Sequence, residues 1–152
     1  MSPATQNSEV RTRNLTVAFI GNPNTGKTTL FNAMTGLRQR VGNYPGVTVE
    51  KKIGQFKQGE QAVDVIDLPG TYSLAPRSPD EMVAVDLLLG HQEGVPRPDV
   101  IVSIVDGSNL ERNLYLTTQL MELGEPVVIA LNMLDIAARH GRTVDAERLQ
   151  KQ

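Results

Sequence analysis

Gly21-Asn-Pro-Asn-Thr-Gly26-Lys27-Thr28 fits the spacing G-x-x-x-x-G-K-[ST], and its flanks decide the fold. The short β-branched-rich run Leu15-Thr-Val-Ala-Phe-Ile20 before it predicts a strand, and Lys27 to Thr35 after it predicts a helix stopped by Gly36. Strand, loop and helix in that order are what a phosphate-binding loop requires. Its glycines let main-chain N–H groups converge on phosphate oxygens at a helix N-terminus, where the helix dipole favours an anion. Lys27 is then expected to reach the β- and γ-phosphates of a nucleoside triphosphate, and the Thr28 hydroxyl to ligate Mg²⁺.

Outward from this loop, Leu37 to Gly46 is glycine- and proline-marked and reads as a loop. Val47 to Phe56 and Ala62 to Asp67 read as two strands of a hairpin around Lys57-Gln-Gly-Glu60. Ser78-Pro-Asp-Glu81 is a capping box opening a helix through Met82 to Leu89, and Ser108-Asn-Leu-Glu111 reads as a second one, opening a helix to Leu123. Asp99 to Val105 and Pro126 to Leu131 are apolar enough for buried strands. This alternation predicts an α/β fold, a mostly parallel sheet with helices on both faces. After Asp135 only Ile136 to His140 and the polar segment Val144 to Gln152 remain, so the expectation is a sheet lacking its final strand and helix.

The chain has 152 residues, a length expected to form one domain over 15–152 behind a loose polar tail, 1–14. With no Cys, a thiolate metal site and a disulfide scaffold are excluded. A formal net charge of −2 gives no electrostatic reason to expect nucleic acid as a partner. No apolar stretch approaches the ~18 residues of a membrane span. His91 and His140 have no Cys or His partner at ligand spacing and read as surface residues. Leu120, Met121 and Leu123 read as core, and Glu50-Lys-Lys52 as a solvated strand face.

Three further stretches carry chemistry. Asp67-Leu-Pro-Gly70 ends a predicted strand, where ligands bind in open α/β sheets. Asp67 can hold Mg²⁺ through a water, and the Gly70 N–H can approach a γ-phosphate because no Cβ intervenes. Asn132-Met-Leu-Asp135 ends the last predicted strand. A carboxylate at Asp135 accepts two hydrogen bonds from guanine N1–H and its exocyclic amine, whereas adenine leaves it poorly paired, so GTP is favoured over ATP. Asn132 is expected to face the base and brace the phosphate loop. Thr48, in Asn43-Tyr-Pro-Gly-Val-Thr48, is the candidate switch hydroxyl that closes on Mg²⁺ when a γ-phosphate is present.

These stretches, with Leu110-Glu-Arg-Asn-Leu-Tyr-Leu-Thr-Thr-Gln-Leu120, and Met133 where most GTPases carry Lys, resemble the cytosolic G domain of the prokaryotic ferrous-iron transporter B family. That family lies within the Ras-like P-loop GTPases. The resemblance covers about residues 15 to 150. It implies a slow GTPase that controls Fe²⁺ movement as the cytoplasmic part of a bacterial inner-membrane protein, with a transmembrane iron-permease part in the same full-length chain. It also implies nucleotide contacts from Gly21, Asn22, Pro23, Asn24, Thr25, Gly26, Lys27, Thr28 and Thr29, from Gly46, Val47 and Thr48, from Asp67 and Gly70, and from Asn132, Met133 and Asp135. Thr28, Thr48 and Asp67 would serve Mg²⁺, and Lys27, Thr48 and Asn24 catalysis.

Two departures bear on mechanism. Where Ras-like enzymes that orient water carry Gln after the D-x-x-G glycine, this chain has Thr71 followed by Tyr72. The resemblance implies that a K⁺ ion near Asn24 takes the place of an arginine finger. The motif that backs the guanine ring from the last strand is also missing from the sequence given. Two other functions stay open on the residues: a ribosome- or RNA-assembly GTPase, and a GTP-sensing module with negligible turnover.

Overall fold

A computed structural model describes residues 13–152. Six strands form one sheet in the order β2-β3-β4-β1-β5-β6. They are β1 (Leu15–Gly21), β2 (Gln39–Asn43), β3 (Glu50–Gln58), β4 (Gln61–Asp67), β5 (Val100–Asp106) and β6 (Val127–Asn132). β4, β1, β5 and β6 run parallel, while β2, β3 and β4 pair antiparallel. The helices are α1 (Lys27–Thr35), α2 (Pro79–Leu88), α3 (Leu110–Met121), α4 (Leu134–Arg139) and α5 (Ala146–Gln150).

Alternation along β1 sends successive side chains to opposite faces, so the strand feeds two cores. Val17 and Phe19 join Phe31 of α1, Val63, Val65 and Ile104 on one face. Ala18 and Ile20 join Ile66, Leu87 and Leu88 of α2, and Leu116 and Leu120 of α3 on the other. Helix α1 lies so close to β3 that a Cβ at Gly54 would come within 2.3 Å of Thr35 Cγ2. A buried Ser103–Thr117 hydroxyl bond of 2.8 Å fixes α3 on β5.

The mixed α/β architecture agrees with the expectation, with five corrections, the first being that β6, read as a buried strand, is an edge strand with no fully buried residue and with Val128 52% exposed. Residues 39–43, read as loop, form the edge strand β2; most of them are exposed, which leaves no burial pattern to read. Residues 47–49, read as strand, belong to a turn closed by the Tyr44 N–H donating to the Val49 carbonyl at 3.0 Å. Ser108 does not cap α3: its N–H and hydroxyl both donate to Asp106 Oδ1, at 2.8 and 2.6 Å, forming a 3-10 turn over Gly107–Asn109. Met121, read as core, is 58% exposed on the last turn of α3. The other capping box is realised, with Ser78 Oγ accepting from the Glu81 N–H at 3.2 Å.

Residues 1–12 of the expected tail lie outside the described residues. Arg13 pairs with Asp99, and Asn14 Nδ2 donates to Asp64 Oδ2 at 3.1 Å.

Candidate nucleotide-binding site

The phosphate loop leaves β1 at Gly21, where a Cβ would lie 2.6 Å from the Ile104 carbonyl oxygen, so only glycine fits. Asn24 (φ 62°) and Gly26 (φ 85°) take left-handed conformations, which curl the main chain into a cradle. Gly26 caps α1 without a side-chain acceptor, leaving the first-turn N–H groups free for an anion. Residues 22–29 and Gly70 line a cleft of about 360 Å³.

Two elements converge beneath this cradle. Lys27 and Thr28 open α1, and Asp67 ends β4; Lys27 Nζ pairs with Asp67 Oδ1, and Thr28 Oγ1 donates to Asp67 Oδ2 at 3.2 Å. Both members of the ion pair are largely buried, with side chains 11% and 7% exposed. Neighbouring ligands of an octahedral Mg²⁺ at 2.0–2.1 Å sit roughly 2.9 Å apart, so the Thr28 and Asp67 oxygens are spaced to share such an ion, directly or through water. The donor set is all oxygen, as Mg²⁺ prefers.

Asn22 Nδ2 and Oδ1, Thr25 Oγ1 and the Tyr44 hydroxyl are buried side-chain polar atoms without a hydrogen-bond partner among the described residues. Two of these three side chains belong to the phosphate loop. Unpaired buried polar groups are costly, and they concentrate where a ligand would supply partners.

Gly70 lies against the loop: a Cβ there would come within 3.2 Å of Pro23 Cα and N. The next residue is turned away from the cleft. Thr71 is fully buried, its N–H donates to the Gly21 carbonyl at 3.0 Å, and its hydroxyl donates to the Ser73 carbonyl at 2.7 Å. Tyr72 is exposed, with the Arg112 guanidinium 4.3 Å from its ring centre.

At the far end of the loop, Asn132 Nδ2 donates to the Thr25 carbonyl at 2.8 Å. Met133 then adopts φ 57°, uncommon for a side chain of its size, and caps α4. This turn places Asp135 in the first turn of α4, where its side chain is 69% exposed and 3.7 Å from Arg139. Its acceptor oxygens are therefore accessible to a ligand.

Asn22 to Thr29 and Gly70 thus line one cleft, Asp67 joins them through Lys27 and Thr28, Asn132 joins them through Thr25, and Met133 and Asp135 follow Asn132 in the chain. Gly46, Val47 and Thr48 do not join them. They line a separate, open hollow with Tyr44, Val49 and Pro79, and Thr48 is exposed. His91 and His140 are exposed, and among the described residues no cluster of three His, Cys, Asp or Glu is placed to hold a metal ion.

Two participants carried no signal of their own in the sequence. Gln119 of α3 accepts the Leu74 N–H at 2.8 Å and so holds the loop after Gly70. Tyr44 is 1% exposed, and burial, reinforced by the Asp67 charge, pushes its phenol up to about 12.

Residues 15–152 match the family model described as ferrous iron transport protein B. The Fe(2+) transporter FeoB of Legionella pneumophila (strain Lens) is 53% identical over 136 residues, which is 87% of this chain and 17% of that protein. The solved cytosolic domain of L. pneumophila FeoB superposes with a TM-score of 0.82 at 53% identity, over 90% of this chain and 52% of that one. A GDP-bound mutant of S. thermophilus NFeoB gives 0.81 at 52% identity, over 90% and 52%. The chain therefore spans a minor part of the curated relatives it matches.

Proposed function

Since the chain belongs to the ferrous iron transport protein B family, we propose that residues 15–152 are its GTP-binding domain and hydrolyse GTP slowly to GDP and phosphate. The domain would act as the cytoplasmic switch of a bacterial inner-membrane ferrous-iron transporter, in a full-length protein that includes the transmembrane permease part. The observation that carries this reading is the convergence of Lys27 and Thr28 on Asp67 beneath a cradle of free N–H groups.

In this reading Lys27 exchanges Asp67 for the phosphates. Gly21 to Thr29 enclose the phosphate chain, and the Gly70 N–H meets the γ-phosphate. Mg²⁺, held by Thr28, Asp67 and, in the triphosphate state, Thr48, would supply positive charge to the β- and γ-phosphate oxygens. Asp135 accepts guanine N1–H and its amine, Asn132 faces the base while bracing Thr25, and Met133 shapes the turn between them. The left-handed Asn24 offers its side-chain carbonyl near the β-phosphate, the place for K⁺.

Thr71 is buried with its hydroxyl engaged, so it supplies no water-orienting group. That favours slow turnover and, as a second reading, a GTP sensor with negligible turnover. Calorimetric titration with GTP, GDP and ATP, with and without Mg²⁺, tests the binding part. Micromolar or tighter guanine nucleotide binding with little ATP binding is expected, and equal affinity for GTP and ATP would overturn the reading.

A further inference from the structure

Tyr44 opens the turn that carries Thr48, and its ring is driven into the core. It packs in the cluster formed by Val49, Ile66, Leu68, Val83 and Ala84, between the sheet and α2, with Lys51 Nζ 5.9 Å from the ring centre. Val49, at the other end of the turn, is 6% exposed. Between these two buried residues the main chain closes on itself: the Tyr44 N–H donates to the Val49 carbonyl at 3.0 Å, and the Val47 N–H to the Tyr44 carbonyl at 3.3 Å. Gly46 makes the reversal at φ 75°. Thr48 is thereby held exposed, with no hydrogen bond to Lys27, Thr28 or Asp67 among the described residues.

One feature of this docking works against it. The Tyr44 hydroxyl is buried and has no hydrogen-bond partner among the described residues. A phenylalanine of the same shape would occupy the site without that penalty, so the phenol docks more weakly than its ring alone would. We infer that Tyr44 is a positioning residue for Thr48, a deliberately weak latch whose docking keeps the switch hydroxyl away from the Thr28–Asp67 oxygens and whose release lets a triphosphate draw it in. The inference rests on the proposed function, in which Thr48 engages only the triphosphate state. GDP binding leaves the latch closed, because no γ-phosphate rewards its opening.

The test compares the unmutated chain with Tyr44→Phe, which keeps the ring and removes the unpaired hydroxyl. Affinities for a non-hydrolysable GTP analogue and for GDP are measured with Mg²⁺, alongside the melting temperature without nucleotide and amide exchange at Tyr44 and Val47. Tyr44→Phe should melt higher and lose affinity for the GTP analogue on the order of five-fold or more relative to GDP. In the unmutated chain the Tyr44 and Val47 amides should lose protection with the GTP analogue and keep it with GDP. A purely structural tyrosine would shift the melting temperature and leave the ratio of affinities alone. If both nucleotides bind but the ratio stays within two-fold of the unmutated value, or the two amides stay protected with the GTP analogue, the latch is wrong and the GTPase reading stands. If the unmutated chain binds neither nucleotide, both fall.

Discussion

Asn132 donates its side-chain N–H to the main-chain carbonyl of Thr25 across 2.8 Å, joining the end of β6 to the phosphate loop over 107 residues of sequence. The bond leaves no room for a side chain between its partners, because a Cβ at Gly26 would fall 2.3 Å from Asn132 Nδ2. The segment proposed to read the base is thus mechanically tied to the segment proposed to hold the phosphates.

Asn132→Ala should remove that tie and leave the Thr25 carbonyl without this donor. A loss of about 1 to 2 kcal/mol in folding stability is expected, with weaker GDP binding. Urea denaturation and a GDP titration check both, and an unchanged GDP affinity would show that the tie is structural only.

Lys27→Ala strips the buried Asp67 carboxylate of its charge partner. In the absence of nucleotide the domain should lose up to roughly 3 to 5 kcal/mol of stability, and nucleotide binding should fall below detection. Denaturant unfolding of the nucleotide-free protein measures the first effect. Asp67→Asn in the Lys27→Ala background should recover part of it, because the uncompensated charge is then gone.

How much of this site could be read from the amino acids depends on where the signal sits. The phosphate loop, Asp67-Leu-Pro-Gly70 and the Asn132 strand end are local strings at the carboxyl edge of predicted strands, so chain order alone brought them together. Strand β2 is not legible in the sequence, because an edge strand with mostly exposed residues has no inward face to pattern. Ser108 matches a capping box on spacing, but Asp106, two residues earlier, accepts both its N–H and its hydroxyl and draws it into the 3-10 turn instead. The latch at Tyr44 and the inward turn of Thr71 are tertiary facts. Nothing in the residue types says that one phenol is buried unpaired or that one hydroxyl bonds Ser73 and not a ligand.

The raised Tyr44 pKa gives a pH dependence with a definite sign. A phenol that ionises near 10 in the unfolded chain and at about 12 when folded holds its proton more tightly in the native state. Its contribution is therefore fully present below pH 10 and is lost as pH rises toward 12. Unfolding free energies measured from pH 9 to 12 should fall more steeply for the unmutated chain than for Tyr44→Phe; parallel curves would contradict the assignment.

Asp135→Asn replaces two acceptors with one acceptor and one donor at the accessible start of α4. GTP affinity should drop by roughly 2 to 4 kcal/mol, while xanthosine triphosphate binding improves. Competition titrations with both nucleotides report the exchange of preference, and a parallel loss of both would place Asp135 outside base recognition.

With Thr71 turned inward, charge developing between the β- and γ-phosphates needs another source of compensation, and the proposed function assigns that part to a monovalent cation at the left-handed Asn24. GTP turnover should be faster in KCl than in NaCl at equal ionic strength, and Asn24→Ala should abolish the difference. Equal rates in the two salts would remove the cation and leave the rest of the site as described.

The most direct test of the central claim is phosphate release from Mg·GTP under single-turnover conditions in KCl, with the unmutated chain in excess over nucleotide and Mg·ATP in parallel. The account predicts slow, complete conversion of GTP to GDP, none of ATP, and none of either with Lys27→Ala. Bound GTP that remains intact over many hours would contradict hydrolysis and leave a nucleotide sensor; release that persists in Lys27→Ala would contradict the site itself.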